Sequence, residues 1–408
     1  MIGQKGFALA PEGTVTTPKG FKAGGVHCGI KKVRRYDLGA IVCDVPAMTA
    51  AVYTTNLVQA APLAVTRESI AREGRLRAML VNSGNANACT GERGFTDARE
   101  MRSAFAAALG VPDHLVGVTS TGVIGVHMPM DKVRAGVGAL ANGLSPDGGG
   151  DFCQAIMTTD LVQKSVCVRL EAGGAAVTIA GAAKGSGMIH PNMATMLGFI
   201  TTDAALNEGV LQSLLSETTD VTFNMITVDG DTSTNDMVVA MASGLAGNEP
   251  LHPGHPDWEC FAAAFRCVSE TLAKEIARDG EGATKLIEVN VSGARTDQDA
   301  RAVAKTIVGS SLVKSAMYGS DANWGRIIAA AGRAGVPIDA NTVDIRLGDI
   351  PVLQASVPIP FDEAAAKRYL DGSEIAVYVD LHIGPGKATA WGCDLTYDYV
   401  KINASYRT

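Results

Sequence analysis

The segment from Lys184 to Thr202 (KGSGMIHPNMATMLGFITT) gathers a cation, a glycine-rich loop and a hydroxyl, residue types from which a nucleophilic site can be built. A cation, Lys184, stands beside Gly185-Ser186-Gly187, and the doublet Ala194-Thr195 lies between Met193 and Met196. The apolar run Leu197 to Ile200 follows at once. A hydroxyl at the entrance of an apolar strand is either a satisfied core threonine or a rigidly held nucleophile. Taken alone, the segment reads as a glycine-rich turn feeding a strand, and Thr195 is open to both roles.

Four other groupings carry possible chemistry. Thr119-Ser120-Thr121-Gly122-Val123-Ile124-Gly125 follows the strand-like run LVGV. Read as a turn, it packs N–H groups and hydroxyls that can face a developing oxyanion or cap their own backbone. Met157-Thr158-Thr159-Asp160 reads as a capping cluster. Glu281, in DGEGATK, is a surface acid or a partner for an amine. The C-terminus CDLTYDYVKINASYRT offers Asn403 and Thr408, either on a frayed end or on a tail folded back into a pocket. The loop VNSGNANACTGERG (81–94) is dense in backbone donors but has neither Walker spacing nor a dinucleotide glycine pattern. DGDTSTND (229–236) has carboxylates without the spacing of a calcium loop.

KGSGMIHPNMATML resembles the processing and nucleophile segment of the ornithine acetyltransferase (glutamate N-acetyltransferase, ArgJ) family of arginine biosynthesis. STGVIG, VNSGNANACTGERG, DGDTSTND, KSAMYGSDANWGR (314–326) and the CDLTYDYV–INA–YRT ending resemble the same family, so the likeness runs from AGGVHCGIKK to the last residue. Ser405 departs from it, standing where the family often carries an acid.

The resemblance implies self-cleavage between Ala194 and Thr195, which frees Thr195 as an N-terminal nucleophile with its own α-amine as base. Such an amine, with a reference pKa of about 7.7–8.0, is partly neutral near physiological pH. It further implies Thr121 and Gly122 as the oxyanion pair, and Thr158, Lys184, Thr195, Glu281, Asn403 and Thr408 as substrate contacts. At the Thr158-Thr159 doublet the choice stays open, with Thr158 preferred. The implied reaction moves acetyl from N2-acetyl-L-ornithine to L-glutamate, with acetyl-CoA open as a second donor. The implied products of cleavage are an α chain (1–194) and a β chain (195–408), assembled as α2β2. No metal or organic cofactor is required, and neither nucleic acid nor a membrane is expected as a partner. Two rivals remain: a related self-processing aminopeptidase, for which a serine nucleophile is expected, and a non-catalytic amino-acid-binding protein.

The elements that must position these residues can be read from pattern. The chain has 408 residues and is 47% hydrophobic, long enough for two domains. A net charge of −7, with no basic run longer than a pair, argues against a nucleic-acid groove. None of the eight cysteines forms a C-x-x-C pair, and the seven histidines lack H-x-x-x-H spacing. Buried free thiols and no zinc site are therefore expected. With no signal pattern at the N-terminus and no apolar run near membrane-spanning length, a soluble, cytoplasmic protein is expected.

Runs rich in β-branched residues predict strands at 41–45, 78–82, 165–170, 175–181, 196–202, 223–229, 285–293, 343–347 and 375–383. Trp258, Phe261, Phe265, Val268, Leu272 and Ile276 recur at helical spacing, with Asp257 placed to cap the start and Gly280 to end the helix. Further helices are predicted over 96–109, 301–317 and 324–333. The class is mixed α/β (α+β). By resemblance it is an ArgJ/DmpA-like layering of sheets and helices around an N-terminal-nucleophile site, with a smaller C-terminal domain from about residue 247. The loops 142–150 and 247–257 are the linker candidates.

Overall fold

The computed structural model describes residues 6–190 and 196–404. The chain divides into two compact units. The first takes Met1–Gly185, Asn192–Asp220 and Thr232–Leu272; the second takes Ser186–Pro191, Val221–Asp231 and Ala273–Thr408. The loop 247–257, expected as a linker, lies inside the first unit. The division instead falls within one helix, where composition leaves no mark.

The first unit is a nine-stranded sheet with helices. Its strands are β1 (Phe7–Leu9), β2 (Phe21–Val26), β3 (Leu38–Tyr53), β4 (Arg75–Asn85), β5 (Val116–Val123), β6 (Lys164–Ala172), β7 (Ala175–Lys184), β8 (Leu197–Thr202) and, after β9 (Ile226–Thr227) of the other unit, β10 (Met237–Ala242). They run in the order β1-β6-β7-β8-β10-β3-β4-β5, with β2 also paired to β3. Its helices are α1 (Ala61–Glu73), α2 (Gly91–Leu109), α3 (Met130–Asn142), α4 (Gly149–Ile156), α5 (Val210–Val221, whose last residue falls to the second unit) and the first part of α6 (Trp258–Arg278).

Side chains alternate faces along a strand, so each strand serves two cores. Leu38, Ala40 and Val42 of β3 pack with Leu80 of β4 and with Met101 and Phe105 of α2. Ile41 and Cys43 pack on the other face with Phe152 of α4, Phe199 of β8 and Val239 of β10. Burial on both faces is why these strands read as unbroken apolar runs. All six residues of β8 are buried.

The second unit holds β9, β11 (Leu286–Ala294), β12 (Asp344–Leu347), β13 (Ile350–Gln354), β14 (Val357–Pro358), β15 (Glu374–Asp380) and β16 (Gly386–Cys393), in the order β14-β13-β12-β15-β11-β16-β9. Its helices are α7 (Asp297–Val308), α8 (Ser311–Tyr318), α9 (Trp324–Gly332), α10 (Glu363–Leu370) and α11 (Tyr397–Ala404). In β11, Ile287, Val289 and Val291 are buried, while Glu288 and Asn290 on the opposite face bond Trp391 and Thr389.

Several expectations change. The helix predicted over 301–317 is two helices, because the Ser310 hydroxyl accepts from Val313 N–H and starts α8 afresh after Gly309. Only Ile226–Thr227 of the run 223–229 is strand, following a 3-10 turn at Phe223–Met225. Gly280 does not supply a left-handed turn; a Cβ there would lie 2.7 Å from the Cys393 sulfur, so close approach requires the glycine. Among the described residues no cysteine forms a disulfide; Cys43, Cys153, Cys167 and Cys393 are buried as expected, but Cys28, Cys260 and Cys267 are half-buried and Cys89 is exposed. Among the described residues no helix is long and apolar enough to cross a membrane.

Candidate active site

In the first unit, Thr121 and Gly122 lie on β5 rather than in a turn. The β4–β5 pairing slips at Gly84-Asn85, opposite this point. Gly122 has φ +136°, and a Cβ there would stand 2.4 Å from the Gly84 carbonyl carbon. Two backbones meet without side chains between them, which only glycine permits.

Asparagines fix this crossing. Asn82 accepts from the Ser120 hydroxyl at 2.5 Å and donates to the Asn85 carbonyl at 2.8 Å. Asn235 donates to the Ala86 carbonyl at 2.6 Å and the Ser120 carbonyl at 2.8 Å. Asn82 and Asn235 thus hold Ser120, the residue that leads into Thr121-Gly122, by its hydroxyl and its carbonyl.

Lys184 ends β7, is 7% exposed, and its Nζ stands 3.5 Å from the Thr121 hydroxyl, a contact longer than an ordinary hydrogen bond. Lys184 pairs with Leu197 across the β7–β8 ladder. Met196, the residue after Thr195, accepts from Met237 N–H at 3.1 Å through its carbonyl. The cation and the β5 crossing therefore sit at the end of the sheet where the chain enters β8.

Asp160 connects two of the candidates. Its carboxylate accepts from Thr158 N–H at 2.9 Å, Gly185 N–H at 2.7 Å and Lys164 Nζ at 2.8 Å, with both ion-pair side chains fully buried. Burial alone would raise this carboxyl. The charges of Lys184 and Lys164 and the donated bonds outweigh it and hold the group well below the usual carboxylate range. On the other side of the same turn, Lys31 Nζ donates to the Met157 carbonyl at 2.7 Å and the Tyr36 carbonyl at 2.8 Å. Burial brings the Lys31 ammonium down to about 8, with Asp37 opposing.

In the second unit, Glu281 is buried and donates its N–H to the Ser186 carbonyl at 2.9 Å. Its carboxylate lies against Gly187, where a Cβ would fall 2.4 Å from the carboxyl carbon. Asn403 of α11 donates to that carboxylate at 2.8 Å. Asp229 accepts from Met188 N–H at 2.6 Å and Ile189 N–H at 2.8 Å and holds Met188 at φ +56°. His190 Nδ1 lies 3.0 Å from the Thr227 hydroxyl. Burial, aided by Lys305, lowers its imidazole to about 4, so it is neutral at physiological pH.

The first unit brings together Thr121, Gly122, Thr158 and Lys184; the second brings together Glu281 and Asn403. Ala194, Thr195 and Thr408 lie outside the described residues. Sequence reasoning did not single out Lys31, Asp160, Asn235 or Asp229. Asp160, Asp229 and Asn235 carried a signal only as members of short polar clusters, and Lys31 carried none. Among the described residues no group of His, Cys, Asp and Glu is arranged to hold a metal ion.

The chain belongs to the ArgJ family, whose profile matches residues 22–408. It is similar to the arginine biosynthesis bifunctional protein ArgJ of Geobacillus kaustophilus, with 59% identity over 397 residues and 97% of each chain covered. Against the protein of the same name from Bacillus subtilis, identity is 57% over 396 residues, again with 97% of each covered. The crystal structure of the ArgJ protein from Bacillus halodurans is 60% identical. It covers 52% of this chain and all of its own, with a TM-score of 0.51.

Proposed function

We propose that this chain cleaves itself between Ala194 and Thr195 and then transfers acetyl from N2-acetyl-L-ornithine to L-glutamate through an ester on Thr195. The observation that carries the reading is the placement of Lys184, paired to β8 at Leu197 and 3.5 Å from Thr121. A cation and a glycine-made backbone crossing flank the strand that Thr195 leads into. The relatives' name, an arginine-biosynthesis bifunctional protein, supports the same reaction.

In the first step the Thr195 hydroxyl attacks the acetyl carbonyl and its proton passes to the freed α-amine. The tetrahedral oxyanion accepts hydrogen bonds at Thr121 and Gly122. Collapse breaks the bond to N2, which takes the proton and leaves as ornithine. The glutamate amine then attacks the ester, N-acetylglutamate departs, and Thr195 regains its proton. Lys184 and Thr158 hold substrate in the first unit; Glu281 and Asn403 suit a charged amine. Acetyl-CoA is the candidate second donor to the same ester, and the word bifunctional in the relatives' names supports a second activity.

β7 and β8 flank the cut yet are hydrogen-bonded neighbours in one sheet, so the α and β chains remain joined after cleavage. Sizing of the native protein tests the α2β2 assembly.

The reaction is tested by its first half. Processed protein incubated with N-acetylornithine and no glutamate should gain one acetyl mass on the fragment beginning at Thr195. Glutamate should then remove it as N-acetylglutamate. An acetyl group mapped to Lys184 or to a cysteine, or no half-reaction at all, would defeat the mechanism.

A further inference from the structure

We infer that Asp160 is the positioning residue that sets Thr158 and Lys184 for substrate, resting on the acetyl-transfer reading above. One buried carboxylate bonds both segments that carry these groups: the Thr158 N–H itself and the N–H of Gly185, the residue after Lys184. These N–H groups lie 27 residues apart in sequence and meet at a single acceptor. Lys31 completes the clamp on the Met157–Thr158 peptide by binding its carbonyl oxygen while Asp160 binds the N–H. The Asp37 carboxylate in turn accepts the Lys31 N–H at 3.0 Å, which fixes the root of that side chain. The peptide is thus held at both polar ends, and its torsion cannot drift without breaking a charged hydrogen bond.

Lys164 has a different part. It neutralises Asp160 in a site closed to water, where a lone carboxylate would be unstable. Stability and positioning therefore depend on separate bonds of the same carboxylate, and substitutions can separate them.

Asn at position 160 is isosteric and uncharged, but its amide can accept with one oxygen only and turns N–H donors toward N–H donors. Asp160→Asn alone also leaves Lys164 without this carboxylate and is expected to be less stable. Asp160→Asn combined with Lys164→Met removes the buried ion pair as a unit and should restore much of the thermal midpoint. The positioning role makes KM for N-acetylornithine stay about tenfold or more above wild type in that double variant, with kcat within about threefold, because ground-state contacts are what is lost. Lys164→Met alone keeps the two N–H bonds and should leave KM within about threefold while lowering the midpoint. Asp160→Glu should recover part of the lost KM.

If KM recovers together with the midpoint in the double variant, Asp160 is a stability residue and the inference fails. A double variant that does not fold would equally assign the carboxylate to the fold. Absence of acetyl transfer in the wild type would instead overturn the reaction on which the inference rests, so the two failures are distinct.

Discussion

Asn403, near the end of α11, donates its side-chain amide to the Glu281 carboxylate at 2.8 Å and also to the Tyr399 carbonyl at 3.0 Å. The C-terminal helix thereby orients an acid that sits 122 residues earlier in the chain. The same carboxylate rests against Gly187, where no side chain can intervene. One oxygen accepts from a neutral amide, which leaves the group able to accept from a cation or a second N–H.

Glu281→Gln should therefore weaken binding of an amine-bearing substrate. A charged hydrogen bond is worth about 1.5–3 kcal/mol, which corresponds to roughly a ten- to hundredfold rise in KM for N-acetylornithine. Asn403→Ala removes the bonds of a neutral amide, to Glu281 and to the Tyr399 carbonyl, and should cost about 1 kcal/mol, or roughly fivefold. Steady-state kinetics of both variants checks the ranking; equal effects, or a larger one from Asn403→Ala, would break the assignment.

The β5 crossing makes a second expectation. Thr121→Ala leaves the backbone untouched and should lower kcat by about a hundredfold with KM little changed, because the contact forms only in the transition state. Gly122→Ala should do more, since its Cβ would meet the Gly84 carbonyl carbon at 2.4 Å and its φ of +136° excludes alanine. Soluble yield and thermal midpoint should fall together with activity. A Gly122→Ala protein as stable as wild type would show that β4 and β5 can separate at no cost.

What was legible in the sequence follows from where each signal lives. β8 was legible because burial on both faces leaves an apolar run, and α2 because Gly110, at φ +66°, closes it as a left-handed cap. Thr121-Gly122 was legible as a donor-rich segment but misread as a turn; its geometry comes from the partner strand slipping at Gly84, a long-range fact. Asp160 and Asp229 were visible only as acids in polar clusters. Their acceptor roles depend on amides brought in from residues 185, 188 and 189, which no local pattern announces. The break between α7 and α8 hid inside a helical periodicity that one serine cap interrupts.

His190 gives a pH expectation. Its folded value, about 4, lies below the ordinary 6.5, so the fold favours the neutral ring. The stability this contributes is complete above pH 6.5 and is lost as pH falls toward about 4. For a half-buried ring the loss between pH 6.5 and 5 should be about 1 kcal/mol after solvent screening. His190→Gln should flatten that part of the curve of thermal midpoint against pH. Superimposable curves for the two proteins would remove His190 as the cause.

Self-cleavage is the expectation on which the nucleophile depends. Purified protein should show two fragments on a denaturing gel without added protease, with intact masses matching a cut between Ala194 and Thr195. Thr195→Ala removes the hydroxyl that attacks the preceding carbonyl and should leave one 408-residue band. Thr195→Ser keeps a hydroxyl and should still cut. Under native conditions the two fragments should migrate as one species, because β7 and β8 pair at six positions across the cut, from Ile179–Thr202 to Lys184–Leu197. Fragments from the alanine variant would point to a contaminating protease. An uncut wild type that nevertheless forms N-acetylglutamate would mean that Thr195 works without a free amine, and that another group takes its proton.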